Sequence, residues 1–214
     1  MRESIDTIIS INIKVQFYMK TTFFILVFTV IAMTSFAQLK SDSSKHLTFK
    51  GVPINGTLAE YVLKMKKNGF IHKGTKDDIA ILEGDFASYN KCIVGVSTIK
   101  QMDLVSKIAV LFPDLDTWSS LSSNYYDLKE LLTEKYGKSS ESVEKFQSYT
   151  PEDDGSKIIQ VKLGACKYYT NYETEKGTIQ LSIEHESVTR CFIKLVYFDK
   201  INSESLKKQA LDDL

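Results

Sequence analysis

The chain has 214 residues, of which 43% are hydrophobic and 25% charged, and its 27 basic side chains are balanced by 27 acidic ones. This is ordinary globular composition, with enough apolar material for one core or two small repeats. A neutral chain without a basic stripe excludes the usual nucleic-acid binder, because phosphate contacts need clustered Lys and Arg.

The chain opens on a targeting segment. Met19-Lys20 is a short basic start, Thr21 to Thr34 is an apolar run, and Ser35-Phe36-Ala37 is a small-x-small cleavage signal. The run is shorter than the roughly 20 residues that a membrane span needs. Residues 1–37 are therefore read as upstream residues plus a signal peptide, with Met19 as the start and cleavage after Ala37. This predicts export to the periplasm or the exterior, with the membrane met only through the cleaved segment. Residues 38–45 are polar and Ser-rich, a flexible mature N-terminus.

His46 to Val52 reads as a short strand, and Thr57-Leu58-Ala59-Glu60 has the form of a capping box. The helix it opens presents Leu58, Tyr61, Val62 and Met65 on one face and ends at Asn68-Gly69. His72 to Asp78 reads as a polar loop. Three extended runs rich in Val, Ile and Phe follow, at Ile79–Ala87, Lys91–Ile99 and Val105–Phe112. Gly84 inside the first run signals a bulge or a close contact.

Asp116 to Gly137 is the clearest helix of the chain. Trp118, Leu121, Tyr125, Leu128, Leu132 and Tyr136 fall within a stripe roughly 80° wide at helical spacing. Asp116 is placed to cap its first amides, and Gly137 stands where a left-handed C-cap is wanted. Beyond it come a strand at about Ser142 to Tyr149, an acidic loop at Thr150 to Ser156, and a short apolar segment at Lys157 to Leu163. Three strands follow at Cys166–Glu173, Thr178–His185 and Arg190–Asp199, and then a tail or short helix over 200–214.

The predicted fold class is α+β: a largely antiparallel sheet of about seven strands with two helices on one face. Residues 46–114 and 115–199 each read as a helix-plus-meander unit. VSKIAVLFPD (Val105 to Asp114) aligns with TRCFIKLVYFD (Thr189 to Asp199) on the closing Asp. A tandem duplication accounts for this match, and so does the small residue vocabulary of apolar strands.

The second unit permits a register argument. With Glu173 opposite Thr178, Tyr172 faces Ile179, Thr170 faces Leu181 and Tyr168 faces Ile183, which makes one apolar face. A last strand with Lys194 outward has Cys191, Ile193, Leu195 and Tyr197 inward, and Phe192, Val196 and Phe198 outward beside Tyr169. Tyr169, Phe192, Val196 and Phe198 are therefore the candidate partner-binding residues, since contiguous exposed apolar surface marks a contact site. The competing account is that the C-terminal segment covers them. Cys166 and Cys191 both point inward but are separated by a strand, about 9.6 Å. A disulfide needs Cα atoms within roughly 7 Å, so no bond is expected between them.

The search for chemistry finds no catalytic, cofactor-binding or metal residues. There is no GxSxG, HExxH or phosphate-cradling glycine loop. Glu184 and Glu186 flank His185 on alternate sides of a strand and point away from it. Glu152-Asp153-Asp154-Gly155 lacks the alternating ligands of a calcium loop. The expected function is a secreted, non-enzymatic binding or protein-interaction module, without a cofactor, whose partner is a protein or a glycan. One alternative is a hydrolase-like enzyme whose scattered site pairs His72 or His185 with a Cys or carboxylate. The other is a structural envelope protein with a fully covered sheet.

FKGVPINGTLAEYV, ILEGDF, DTWSSLSSNYYDLKELLTEKYGK and GTIQLSIEHESV resemble segments of a family of secreted proteins of unknown function from gut Gram-negative anaerobes. The likeness spans most of residues 46–199 and implies no catalytic residues. The helix-then-meander plan is similar to the tandem domain of the β-lactamase inhibitor protein and to the small outer-membrane assembly lipoprotein BamE. That similarity concerns fold alone. This chain differs from both in lacking a lipidated Cys and a disulfide pair within a repeat.

Overall fold

The computed structural model describes residues 45–99 and 102–212. The expected signal segment, its cleavage site and nearly all of the mature tail lie outside the described residues. The architecture is α+β, an eight-stranded antiparallel sheet with four helices. A two-stranded ribbon, β1 (Thr48–Phe49) and β2 (Val52–Pro53), precedes α1 (Leu58–Lys67). The first meander is β3 (Ile71–Lys76), β4 (Ile79–Phe86), β5 (Tyr89–Ile99) and β6 (Leu104–Leu111). Next come α2 (Trp118–Tyr136), β7 (Glu141–Phe146) and α3 (Asp154–Lys162). The last elements are β8 (Cys166–Thr174), β9 (Gly177–Glu186), β10 (Arg190–Asp199) and α4 (Lys200–Asp212). Across the sheet the order is β3-β4-β5-β6-β10-β9-β8-β7. The first half contributes α1 and four strands of the sheet, the second α2, α3 and four strands, and the halves join through their last strands.

The capping box is present at α1, where the Thr57 hydroxyl accepts from the Glu60 amide and the Glu60 side chain from the Thr57 amide. On α2 the expected stripe faces the sheet: Leu121, Tyr125, Leu128 and Leu132 are buried, and Trp118 and Tyr136 pack against the core. Gly137 ends the helix at φ +83° and ψ −163°, a positive-φ C-cap but not the left-handed helical one expected. The N-cap, however, is Thr117 rather than Asp116. The acidic partner of this end comes from another helix, because Asp154 accepts from the Trp118 amide at 3.1 Å and the Ser119 amide at 2.6 Å. The Ser119 hydroxyl also bonds this carboxylate, and these bonds hold the Asp154 carboxyl below its usual range. A carboxyl with a lowered folded-state pKa stabilises above its unfolded pKa of about 3.9 and loses that contribution as pH falls through the folded value. Asp154→Ala should therefore be less stable than wild type at pH 7. Urea titrations repeated down to about pH 2.5 should show the gap closing with acidification.

Three local readings are corrected. His72 to Asp78 is mostly strand β3 and not a loop, which raises the sheet from about seven strands to eight. It is an edge strand with Ile71, His72, Lys73, Thr75 and Lys76 all exposed, so its side chains carry no apolar alternation. The apolar segment after the acidic loop is helix α3, capped by Asp153 through the Ser156 amide at 2.8 Å. The first strand divides into β1 and β2 around a turn, with Lys50 and Gly51 at positive φ. Gly84 fulfils both expectations for it: the register shifts between Gly84 and Phe86, and a Cβ at Gly84 would lie 2.6 Å from the Phe70 ring.

The hairpin register agrees with the sequence reading, since Glu173 pairs with Thr178, Tyr172 with Ile179 and Thr170 with Leu181. On β10, Cys191, Ile193, Leu195 and Tyr197 face the buried side with Ile108 and Val110 of β6. All three cysteines are free.

Candidate functional site

The helices α1, α2 and α3 bury Tyr61, Met65, Leu121, Tyr125, Leu128, Ile158 and Val161 in one core with the inward side chains of the sheet. The opposite, outer face follows from the pairing register. One row across it is Ile79, Ser97, Lys107, Phe198 and Thr178, and the next is Ile81, Gly95, Ala109, Val196 and Gln180. A third is Glu83, Ile93, Leu111, Lys194, Ser182 and Tyr169. On β4, β5, β6 and β10 the middle row is apolar throughout and the flanking rows carry Ser97, Lys107, Glu83 and Lys194, and across β9 and β8 the outer face is polar.

The four sequence candidates divide between these regions. Phe192, Val196 and Phe198 share the outer side of β10, but only Phe198, at 37% exposed, is freely accessible. Val196 is 4% exposed and Phe192 7%, with the Arg190 guanidinium over the Phe192 ring at 5.6 Å. Tyr169 is not adjacent to them, because β9 runs between β8 and β10. Its hydroxyl donates to Glu141 at 2.6 Å and the Lys167 ammonium lies 5.3 Å from its ring. The bond to Glu141 raises the Tyr169 phenol pKa. Tyr169 belongs with Asn171, Gln180 and Glu141 in a polar ladder. Arg190 is itself held by Asp114 at 2.7 Å and by Glu186.

Sequence reasoning missed Ile79, Ile81, Ile93 and Ala109 as members of this face. Their signal was present, because Ala80, Leu82, Val94 and Val96 alternate with them and are fully buried. Apolar residues on both sides of these strands concealed which side was inward.

Polar groups also converge on the helix side. Glu144 of β7 meets Lys129, the Ser142 hydroxyl at 3.0 Å, the Tyr125 hydroxyl at 3.4 Å and the Tyr126 hydroxyl at 3.3 Å. Burial by itself would raise the Glu144 carboxyl, but hydrogen bonds from Lys129 and Ser142 and the charge of Lys129 outweigh it and hold the pKa down. Lys129 also donates to Ser142 at 3.1 Å. An ammonium held by an ionised carboxylate is no base for that serine, so the cluster fastens the edge strand β7 to α2.

The histidines of the enzyme reading find no carboxylate among the described residues. His72 bonds Thr75 Oγ1 at 3.0 Å, and His185 bonds the Ser187 carbonyl at 3.1 Å. Burial pushes the Cys166 thiol up to about 12 and raises Cys92 and Cys191 as well, so none is a thiolate at neutral pH. The histidine that does meet a carboxylate is His46, whose Nδ1 lies 2.9 Å from Asp199 Oδ2. Comparison with protein-family models, with curated proteins and with solved structures yields no match.

Proposed function

We propose that the protein is an exported, non-enzymatic binding module that takes a protein partner on the outer face of its sheet. The observation that supports this reading is the apolar row Ile81, Gly95, Ala109 and Val196 across β4, β5, β6 and β10, with Ile93 and Leu111 beside it. Ile79 and Phe198 are exposed there, and Ile81, Ile93, Ala109 and Leu111 are half-buried. Sheet faces left to water usually alternate to polar residues, and contiguous apolar surface marks a contact site. A protein suits this surface better than a glycan. Sugars stack on free aromatic faces, whereas these contacts are aliphatic and the Tyr169 ring already carries Lys167.

Phe198 is the residue on which to test it. Phe198→Ser should shift stability by less than about 1 kcal/mol, because the ring is already partly in water. Phe192→Ser should cost about 1.5–3 kcal/mol, because that ring is buried. Urea denaturation of the two variants separates these outcomes. For function, a photo-crosslinking residue placed at Ile81 or Leu111 in the exported protein should give a discrete adduct with one partner, and Phe198→Ser should weaken it. A folded, exported protein that forms no adduct at either position would overturn the proposal.

A further inference from the structure

The sheet ends at β3 on one side and at β7 on the other, and the two edges are unlike. We infer that β7 pairs antiparallel with β7 of a second copy about a twofold axis through Val143, so that Glu141 of each copy faces Lys145 of the other. The β3 edge is guarded against an added strand: its pairing register breaks between His72 and Gly74, and it carries Lys73 and Lys76. Bulges and edge lysines are the usual devices that keep an edge unpaired. β7 runs against β8 without a shift from Glu141 to Phe146 and contains neither Gly nor Pro. Its single lysine, Lys145, is answered by Glu141 at the other end of the strand.

The backbone limits how such a pair can form. The Gln147 amide donates to the Ala165 carbonyl at 2.9 Å, which makes these two residues a hydrogen-bonded pair. Hydrogen-bonded and non-hydrogen-bonded pairs alternate in an antiparallel ladder, so Glu141, Val143 and Lys145 turn their backbone groups toward β8. Ser142, Glu144 and Phe146 turn theirs to the free edge, where no described residue bonds them. A second β7 must therefore oppose these same residues. With the axis on Val143, Ser142 meets Glu144 of the second copy, and the two Val143 side chains meet in a non-hydrogen-bonded pair, where side chains come closest.

The side chains select that register. Ser142, Glu144 and Phe146 meet Thr170, Tyr125 and Trp118 on the helix side, so Glu141, Val143 and Lys145 lie on the outer face. There Lys145 stands directly opposite Lys167 of β8, both exposed, and like charges so placed repel. Glu184, which lines the same cleft as Lys167, is already bound by Lys194 at 2.8 Å. At the other end of β7 the row is Glu141, Asn171 and Gln180, in which Glu141 is the only charge. The outer side of β7 is thus positive at one end and negative at the other, and a twofold axis through Val143 sets each end against its opposite. On the helix side Glu144 is matched by Lys129 of its own copy. The next charges along the chain, Lys138 and Glu152, lie beyond the strand. An axis on Glu144 would set the two Glu144 carboxylates against each other and Lys145 against Val143. An axis on Ser142 would leave Lys145 facing Ser139.

Pairing one edge strand buries less than the roughly 1,200 Å² of a stable interface, so a Kd on the order of 100 µM is expected. Sedimentation equilibrium of the full-length protein up to about 300 µM should show monomer and dimer in exchange. Glu141→Lys and Lys145→Glu each turn two symmetric attractions into repulsions, and each alone should weaken the dimer at least about tenfold. Mixed in equal amounts, the two variants should recover it, because every charge across the axis then meets its opposite. Both substitutions are at exposed side chains, and circular dichroism checks that the variants are folded. A photo-crosslinking residue at Val143 should join two copies of the chain. A wild-type protein that stays monomeric at the highest concentration, folded variants that dimerise undiminished, a mixture no stronger than its components, or a Val143 adduct with a different protein would each overturn the pairing.

Discussion

Asp199→Ala should lower stability by about 3 kcal/mol or more, because each buried polar group it leaves unpaired costs about 1–3 kcal/mol. The substitution leaves the Leu47 and Asn202 amides without their acceptor and removes the hydrogen-bond partner of His46 Nδ1. The loss spreads beyond these bonds. Asn202 in turn donates to the carbonyls of Ile54 at 3.0 Å and Val105 at 2.7 Å. One carboxylate thus aligns His46 and Leu47, the end of β10, the first turn of α4 and, through Asn202, the loop before α1. Urea denaturation followed by circular dichroism measures the effect. Asn202→Ala should cost about 1–3 kcal/mol, because it leaves two buried carbonyls without a donor but keeps the His46–Asp199 pair. Equal losses in the two variants, or an Asp199→Ala protein within about 1 kcal/mol of wild type, would refute this account of the latch.

Gly177→Ala should be as damaging, for a steric reason. Gly177 opens β9 at φ +146°, where residues with a side chain are strained. An added Cβ would lie 2.0 Å from the Phe198 carbonyl oxygen, 2.7 Å from Leu47 Cδ1 and 3.0 Å from the Lys200 amide nitrogen. Two of these neighbours are backbone, and that backbone is committed: Gly177 pairs with Asp199, and the Lys200 amide donates to the Lys176 carbonyl at 2.9 Å. No rotamer change relieves the contact, so β10 must shift away from β9. A loss above about 3 kcal/mol is expected, in the class of severe backbone substitutions. Gly137→Ala serves as the control, since that glycine also has positive φ but has open space where its Cβ would be. It should cost only the conformational term, about 1–3 kcal/mol. Thermal denaturation of the pair tests the ranking, and an intact Gly177→Ala protein would contradict the packing described here.

Features whose partners lie close in sequence, or whose pattern repeats, were legible in the chain. The helical stripe from Leu121 to Leu132, the Thr57–Glu60 box and the facing of β8 and β9 are of this kind. The strand β3 was missed because an exposed edge strand has no buried face to impose alternation. The helix α3 was missed because nine residues give too few turns to distinguish a helical period from a short apolar strand. The cap at α2 was half-read. An acidic group was expected at its positive end, but that group is Asp154, which folding brings from 36 residues beyond Trp118. On the outer face, Phe198 could be assigned its side by the pleat, but its separation from Tyr169 depends on β9 lying between them. The His46–Asp199 pair spans 153 positions and has no local signal at all.

The place of β10 in the sheet also sets the timetable on which the protein can assemble. This strand is central, paired with β6 on one side and β9 on the other, yet it comes last in sequence among the described strands. Until it arrives, the first meander ends in a bare hydrogen-bonding edge at β6, flanked by Val105, Ile108 and Val110, and the second half has no seam to close. Neither half is a finished object during synthesis, and the closing step joins segments far apart in the chain, which is slow. A fragment ending before Arg190 would carry its unpaired edge permanently and aggregate through it.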